Sequence, residues 1–172
     1  MIEAGELVLQ RWDPAWAPEA AAAVRESLAE LSPFLPWASE NYDLAAAQEY
    51  LARSDTGWAQ GTEFNYAIRT AAGELAGAIG LMTRQGPGTL EIGYWMRTAY
   101  AGRGYMTAAV QALTAVALAL PGIERVVIHH DAANEASGAV AAKAGFAEVD
   151  RVRREPQAPR ETYVSVIRER RG

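Results

Sequence analysis

Two glycines, Gly102 and Gly104, stand in Ala101-Gly102-Arg103-Gly104-Tyr105-Met106-Thr107, just before a long run with helical apolar spacing. The first N–H groups of a helix have no intrahelical partner and sit at the positive end of its dipole, and glycines let the main chain approach a phosphate closely. The pyrophosphate of a nucleotide-bearing cofactor would suit such a loop. A glycine turn that merely starts a helix explains the same residues about as well. A dinucleotide-binding βαβ unit fits poorly. Thr107 stands where a third Gly or Ala is expected, Glu124 lies near the distance of the ribose-binding acid, and too little chain follows for a doubly wound sheet.

Other reaction classes can be set aside by residue type. The chain has no cysteine, hence no thiolate zinc site, disulfide framework or cysteine nucleophile. His129 and His130 are adjacent, so on an extended strand they face opposite sides and cannot form one metal pair. Neither belongs to a His-Glu-x-x-His pattern, and Ala136-Ser137-Gly138 is not a hydrolase nucleophile elbow. A net charge of -5 argues against a nucleic-acid surface, which needs a dense basic patch. The acidic amino terminus lacks the basic and apolar stretches of a secretory signal, and the Ala-rich run from Ala108 stops at Pro121, short of bilayer length. No membrane partner and a cytoplasmic location are expected.

The elements that must position these residues follow from periodicity and turn chemistry. Leu7–Arg11 reads as a strand, and Asp13-Pro14 leads into an Ala-rich helix from about Pro18 to Leu31. Ser32-Pro33-Phe34-Leu35-Pro36-Trp37 breaks it, and Asp43 is placed to cap a second helix through about Arg53. Phe64–Arg69, Glu74–Leu81 and Thr89–Met96, separated by short glycine turns, read as a three-stranded meander. Met106, Val110, Leu113, Ala117 and Leu120 mark one face of a helix. Glu124–His130 is strand-like, Glu135–Lys143 a short helix, and Phe146–Val152 and Thr162–Ile167 two final strands. The chain length allows one domain over 1–172, an α+β arrangement with one mixed sheet and helices on its faces.

Four segments in order are then informative together: Glu91-Ile92-Gly93-Tyr94-Trp95-Met96, Gly102-Arg103-Gly104-Tyr105-Met106-Thr107, Asn134-x-x-Ser137 and Lys143-Ala144-Gly145-Phe146. They resemble the RimJ/RimL-type branch of the GNAT N-acetyltransferases, and Phe34-Leu35-Pro36-Trp37 resembles that branch's aromatic loop between its first two helices. The likeness in order of elements covers essentially the whole chain. It implies a mostly antiparallel sheet of about six to seven strands, splayed between the fourth and fifth.

The resemblance implies acetyl-CoA as the acyl donor, no metal, and a primary amine as acceptor, either a protein N-terminal amine or a small molecule. Tyr94, Trp95 and Met96 would offer free strand backbone to the pantetheine arm, in the manner of strand addition, although they also suit an ordinary sheet. Gly102 through Thr107 would hold phosphates through main-chain N–H groups, with Ala101 standing where the family usually has Arg or Gln. Arg103 either reaches those phosphates or is solvated. Asn134 matches a coenzyme-contacting position and is equally suited to capping a helix. Ser137 would lie near the coenzyme sulfur, against the alternative of an exposed helix serine. An alkylammonium with a pKa of about 10 must lose a proton before attack, and Glu91 is the candidate base, directly or through water, against a solvent-facing strand carboxylate. Trp37 and Tyr42, with Trp58, could line the acceptor pocket or belong to the core. With no cysteine for an acyl-enzyme, direct attack in a ternary complex is the simpler course. A catalytically silent acyl-CoA sensor of the same fold is the alternative, and homodimers are plausible by resemblance.

Overall fold

The computed structural model describes residues 1–172. Eight strands form one open sheet: β1 (Ile2–Ala4), β2 (Leu7–Arg11), β3 (Glu63–Arg69), β4 (Leu75–Met82), β5 (Thr89–Met96), β6 (Arg125–Asp131), β7 (Ala147–Arg153) and β8 (Val164–Arg171). Their order is β1-β2-β3-β4-β5-β6-β8-β7, and every neighbouring pair is antiparallel except β5 and β6, which run parallel. The strand beyond the expected number is β1. It folds back on β2 through Gly5, whose φ of 66° is the left-handed region that glycine adopts freely.

Five helices cover the sheet: α1 (Ala17–Glu26), α2 (Leu28–Leu31), α3 (Leu44–Gln60), α4 (Tyr105–Leu118) and α5 (Glu135–Lys143). The expected first helix is broken at Ser27, whose hydroxyl donates to the Ala23 carbonyl at 2.8 Å and accepts from the Thr98 N–H at 3.0 Å. The second helix starts where expected, with the Asp43 carboxylate accepting from the Ala46 N–H. It continues two turns past Arg53, because Ser54 and Gly57 lie on its buried face, and stops at left-handed Gly61.

The sheet has two unlike faces. On one, α4 and α5 pack over Leu90, Ile92, Val126 and Ile128, and the expected stripe of Met106, Val110, Leu113 and Ala117 is buried. Leu120, expected on that stripe, lies beyond the helix end and is exposed. On the other face α1 and α3 bury Trp12, Val24, Leu51, Leu75 and Trp95. Each such side chain taken from water contributes about 1.5–3 kcal/mol, so both faces are tied firmly to the helices.

The parallel junction positions the site. β5 and β6 are paired only at Thr89–Arg125, Leu90–Val126 and Glu91–Val127. Beyond Glu91 they diverge, while β5 stays paired with β4 as far as Met96. The outer edge of Ile92–Met96 is therefore unpaired main chain lining a V-shaped opening, the splay expected between the fourth and fifth strands as numbered without β1. No helix is long and apolar enough to cross a membrane.

Candidate active site

On the α4 face of the opening the site is built largely from backbone. Gly102 and Gly104 both have φ of 76°, and Gly104 is the N-cap of α4. A Cβ added at either would meet nothing within 4 Å, so the loop borders open space that a ligand can fill. Residues 101–104 are exposed, whereas the Met106 side chain is buried in the core and only its main chain remains for binding. The Arg103 guanidinium stands 5.3 Å from the centre of the Tyr100 ring and 6.0 Å from that of Tyr105. The two rings hold its charge beside the glycine loop.

Helix α5 flanks the same face. Asn134 caps it, its side-chain oxygen accepting from the Ser137 N–H at 3.2 Å, so the capping role considered for this residue is filled. Tyr94 reaches across from β5, its hydroxyl lying 3.0 Å from the Ser137 carbonyl oxygen and 3.0 Å from Ser137 Oγ. A carbonyl only accepts, so Tyr94 donates to it and the serine hydroxyl donates to Tyr94. Burial pushes the Tyr94 phenol up to about 12, which keeps it protonated across the physiological range. The pair is thus a short chain of neutral donors, and Ser137 is half-buried, not an exposed helix serine.

The opposite face is built from charged and aromatic side chains. Glu91 stands where β5 and β6 part and is only 3% exposed, which excludes the solvent-facing alternative. One carboxylate oxygen is ion-paired with Arg84, and the other accepts from Gln85 Nε2 at 2.6 Å. His129 Nδ1 lies 3.7 Å from that second oxygen. Burial, reinforced by Arg84, Arg154 and Arg125, holds the His129 pKa below its ordinary value against the pull of Glu91.

Beside this cluster a cavity of about 610 Å³ opens between α3, the aromatic loop and the sheet. Trp37, Tyr42, Tyr50 and Trp95 form its aromatic walls, and Gly93 and Arg84 lie on its sheet side. Trp37 and Tyr42 both line this cavity, with ring centres 5.6 Å apart and Trp95 6.2 Å from Trp37. Trp58 is not part of the lining. Its indole N–H donates to the Asn65 carbonyl, and the ring packs edge-on against Phe64 and Tyr66. The β7–β8 connection joins the two sides of this face. The Arg160 N–H donates to the Pro33 carbonyl at 2.9 Å, and the Thr162 N–H donates to the Asp131 carboxylate at 2.7 Å.

Sequence reasoning missed four contributors: Arg84, Gln85, the Glu91 partnership of His129, and the Tyr94 hydroxyl. Gln85 reads only as part of a glycine turn, and Arg84 just before it carries no signal of its own. Tyr94 carried a usable signal, since it alternates with Leu90 and Ile92 toward the α4 face while Glu91, Gly93 and Trp95 point the other way.

The sheet opens between two parallel strands, with a glycine-started helix on one face and a side-chain pocket on the other. The chain belongs to the GNAT acetyltransferases: the family model described as "Acetyltransferase (GNAT) domain" matches residues 6–147. A search of curated proteins finds no match. Among solved structures, a RimL ribosomal L7/L12 alpha-N-protein acetyltransferase in complex with coenzyme A superposes with a TM-score of 0.89 at 22% identity, covering 99% of this chain and 97% of that one. The microcin C7 self-immunity acetyltransferase MccE, in complex with acetyl-CoA and AMP, gives 0.89 at 18% identity, covering 97% and 93%. An acetyltransferase from Salmonella typhimurium that modifies the N-terminal serine of L7/L12 gives 0.85 at 21%, covering 97% and 95%.

Proposed function

We propose that this protein transfers the acetyl group of acetyl-CoA to a primary amine, a peptide N-terminal amine or a small molecule, by direct attack in a ternary complex. One observation carries the reading. The V-shaped opening beyond Glu91 has an exposed glycine loop and helix start on one face and a buried carboxylate beside an aromatic cavity on the other. The coenzyme A and acetyl-CoA bound in the RimL and MccE structures support the choice of donor.

In this reading the N–H groups of Gly102–Thr107 take the pyrophosphate, and the free edge of Tyr94–Met96 pairs with the pantetheine amides. Asn134 contacts the same arm while capping α5. The thioester then lies in the opening, with the amine entering through the cavity past Trp37 and Tyr42. The cluster centred on Glu91 removes the ammonium proton, and the amine lone pair attacks the thioester carbonyl carbon. The C–N bond forms, the C–S bond breaks, the departing thiolate takes a proton from the Tyr94–Ser137 hydroxyl pair, and the second proton lost from the nitrogen restores that pair. A thiol with a pKa of about 8.5 needs no stronger acid.

The test is calorimetric titration with acetyl-CoA, with NADH and ATP as controls, followed by thiol release with a panel of amines that includes a peptide beginning with serine. Selective micromolar binding and amine-dependent thiol release are expected. Absence of acetyl-CoA binding would overturn the proposal.

A further inference from the structure

Glu91 is the obvious group to take the ammonium proton, but its side chain is only 3% exposed and each of its oxygens already has a partner, Arg84 on one and Gln85 on the other. Arg84 lines the cavity, whereas Glu91 and His129 both stand just behind that lining. His129 is placed differently. It is on the same face of the sheet, 25% exposed, with Nδ1 3.7 Å from Glu91. Because Glu91 is in register with Val127, two residues further along each strand His129 stands across the opening from Gly93. Gly93 lines the cavity and has no side chain, and a Cβ there would meet only the flexible end of Met82. Gly93 therefore puts no side chain between the imidazole and the cavity.

We propose that His129 is the proton acceptor for the amine, with Glu91 as the residue that positions it. This rests on the acetyl-transfer reading. An N–H bond of the ammonium breaks, its electron pair stays on nitrogen, and the proton forms a new bond to Nε2, leaving Nδ1–H toward Glu91. The imidazolium loses this proton to water through its exposed part. The second proton, released from the nitrogen as the C–S bond breaks, balances the one taken up by the thiolate. The groups facing His129 are Glu91 from β5, Arg84 from the turn before it, Arg125 from its own strand and Arg154 from the β7–β8 connection, with Ile167 opposite on β8. Burial, with three cations in support, favours the neutral ring that is ready to accept, while Glu91 favours the imidazolium.

The experiment combines NMR titration of the two imidazoles, assigned with His129→Gln, and pH profiles of kcat/KM for thiol release with the serine peptide or another amine the panel supports. The His129 ring should titrate below its ordinary value, lower still in Glu91→Gln and higher in Arg84→Ala, and the acid limb of kcat/KM should move in the same order. His129→Gln should lower kcat/KM about a hundredfold and remove that limb, with acetyl-CoA affinity unchanged. A His129→Gln enzyme that keeps wild-type kcat/KM, or a ring indifferent to both neighbouring substitutions, would overturn the assignment while leaving acetyl transfer intact. A wild-type protein that neither binds acetyl-CoA nor releases thiol sinks both readings.

Discussion

The two faces of β5 carry the two halves of the site by opposite means. Toward α4 and α5 the contacts are main chain and neutral hydroxyls: the left-handed glycines, the unpaired strand edge and the Tyr94–Ser137 pair. Toward α3 they are charges and rings from distant segments: Glu91, Arg84, His129, Trp37 and Tyr42. In the proposed reading the coenzyme is the same molecule whatever the acceptor, and its amides and phosphates can be met by backbone with few constraints on side chains. An acceptor is recognised by side chains, so its half of the site can change while the fold does not. The comparison therefore predicts that substitutions toward α3 alter turnover or acceptor use without altering coenzyme affinity, and that on the α4 face the glycine-loop main chain sets coenzyme affinity while the Tyr94–Ser137 hydroxyls act on turnover.

The largest separation is expected from Glu91→Gln. Loss of the buried carboxylate removes the group that positions His129 and favours its protonated form, and should lower kcat/KM by up to about a hundredfold, with acetyl-CoA affinity held in calorimetry. The cost in stability should fall short of the roughly 3–5 kcal/mol of an ion pair buried on both sides, because Arg84 is 65% exposed and returns to water. A variant that loses acetyl-CoA binding instead would break the division of labour between the faces.

Gly104→Val is the counterpart on the coenzyme face. A β-branched residue at a φ of 76° carries a backbone penalty of about 1–2 kcal/mol or more, and resisting it displaces the first N–H groups of α4. Acetyl-CoA affinity should fall roughly tenfold to a hundredfold, measured by the same titration. Tyr94→Phe follows, with kcat down by about tenfold and affinity preserved, since one donor of the hydroxyl pair remains at Ser137. Trp37→Ala should have the smallest effect on catalysis. Its ring is 43% exposed, so the acceptor KM should rise by a few-fold, about 1 kcal/mol, with kcat and coenzyme binding near wild type.

The same contrast explains which parts of the fold are legible in the sequence. The glycine loop, α4 and the β3–β4–β5 meander were legible because local residue types encode local backbone: glycine for φ above zero, a 4-3-4-3 spacing for a buried helix face, alternation for a strand. The helix break at Ser27 was not, because the bond from the Thr98 N–H to its hydroxyl spans 71 residues of sequence. Strand β1 escaped because three residues containing Glu3 carry too little period to register, and pairing with β2 is what makes them extended. On the acceptor side, Glu91 was singled out by its place on a strand with a family likeness, but nothing local couples it to His129. That coupling arises only from the parallel β5–β6 register, a tertiary fact.

His129 and its neighbour His130 bring the comparison down to two adjacent residues. His130 faces the other way, under α5, where a Cβ at Gly138 would lie 3.0 Å from its ring. Its Nδ1 is 2.9 Å from the Asp131 carbonyl and must carry a proton, so Nε2 is bare and accepts from Arg168 Nε at 3.0 Å. Protonation would set N–H against N–H in a buried place. Burial holds the His130 pKa below its ordinary value, with Arg168 in support and the carbonyl hydrogen bond in opposition. The unfolded chain takes up this proton near pH 6.5, and the folded protein only at lower pH. Between those limits the unfolded state binds more protons, so stability is fully present above about 6.5 and is lost as pH falls toward the folded value, at no more than about 1.4 kcal/mol per pH unit for one group. Urea midpoints should therefore drop between pH 7.5 and 5.5 in the wild type, and less steeply in His130→Gln. His129→Gln should flatten that slope as well, since burial lowers its ring's pKa too, but of the two it alone should change the pH dependence of turnover. A His130→Gln enzyme whose kcat/KM profile shifts as that of His129→Gln does would show that the two faces do not divide stability and chemistry in this way.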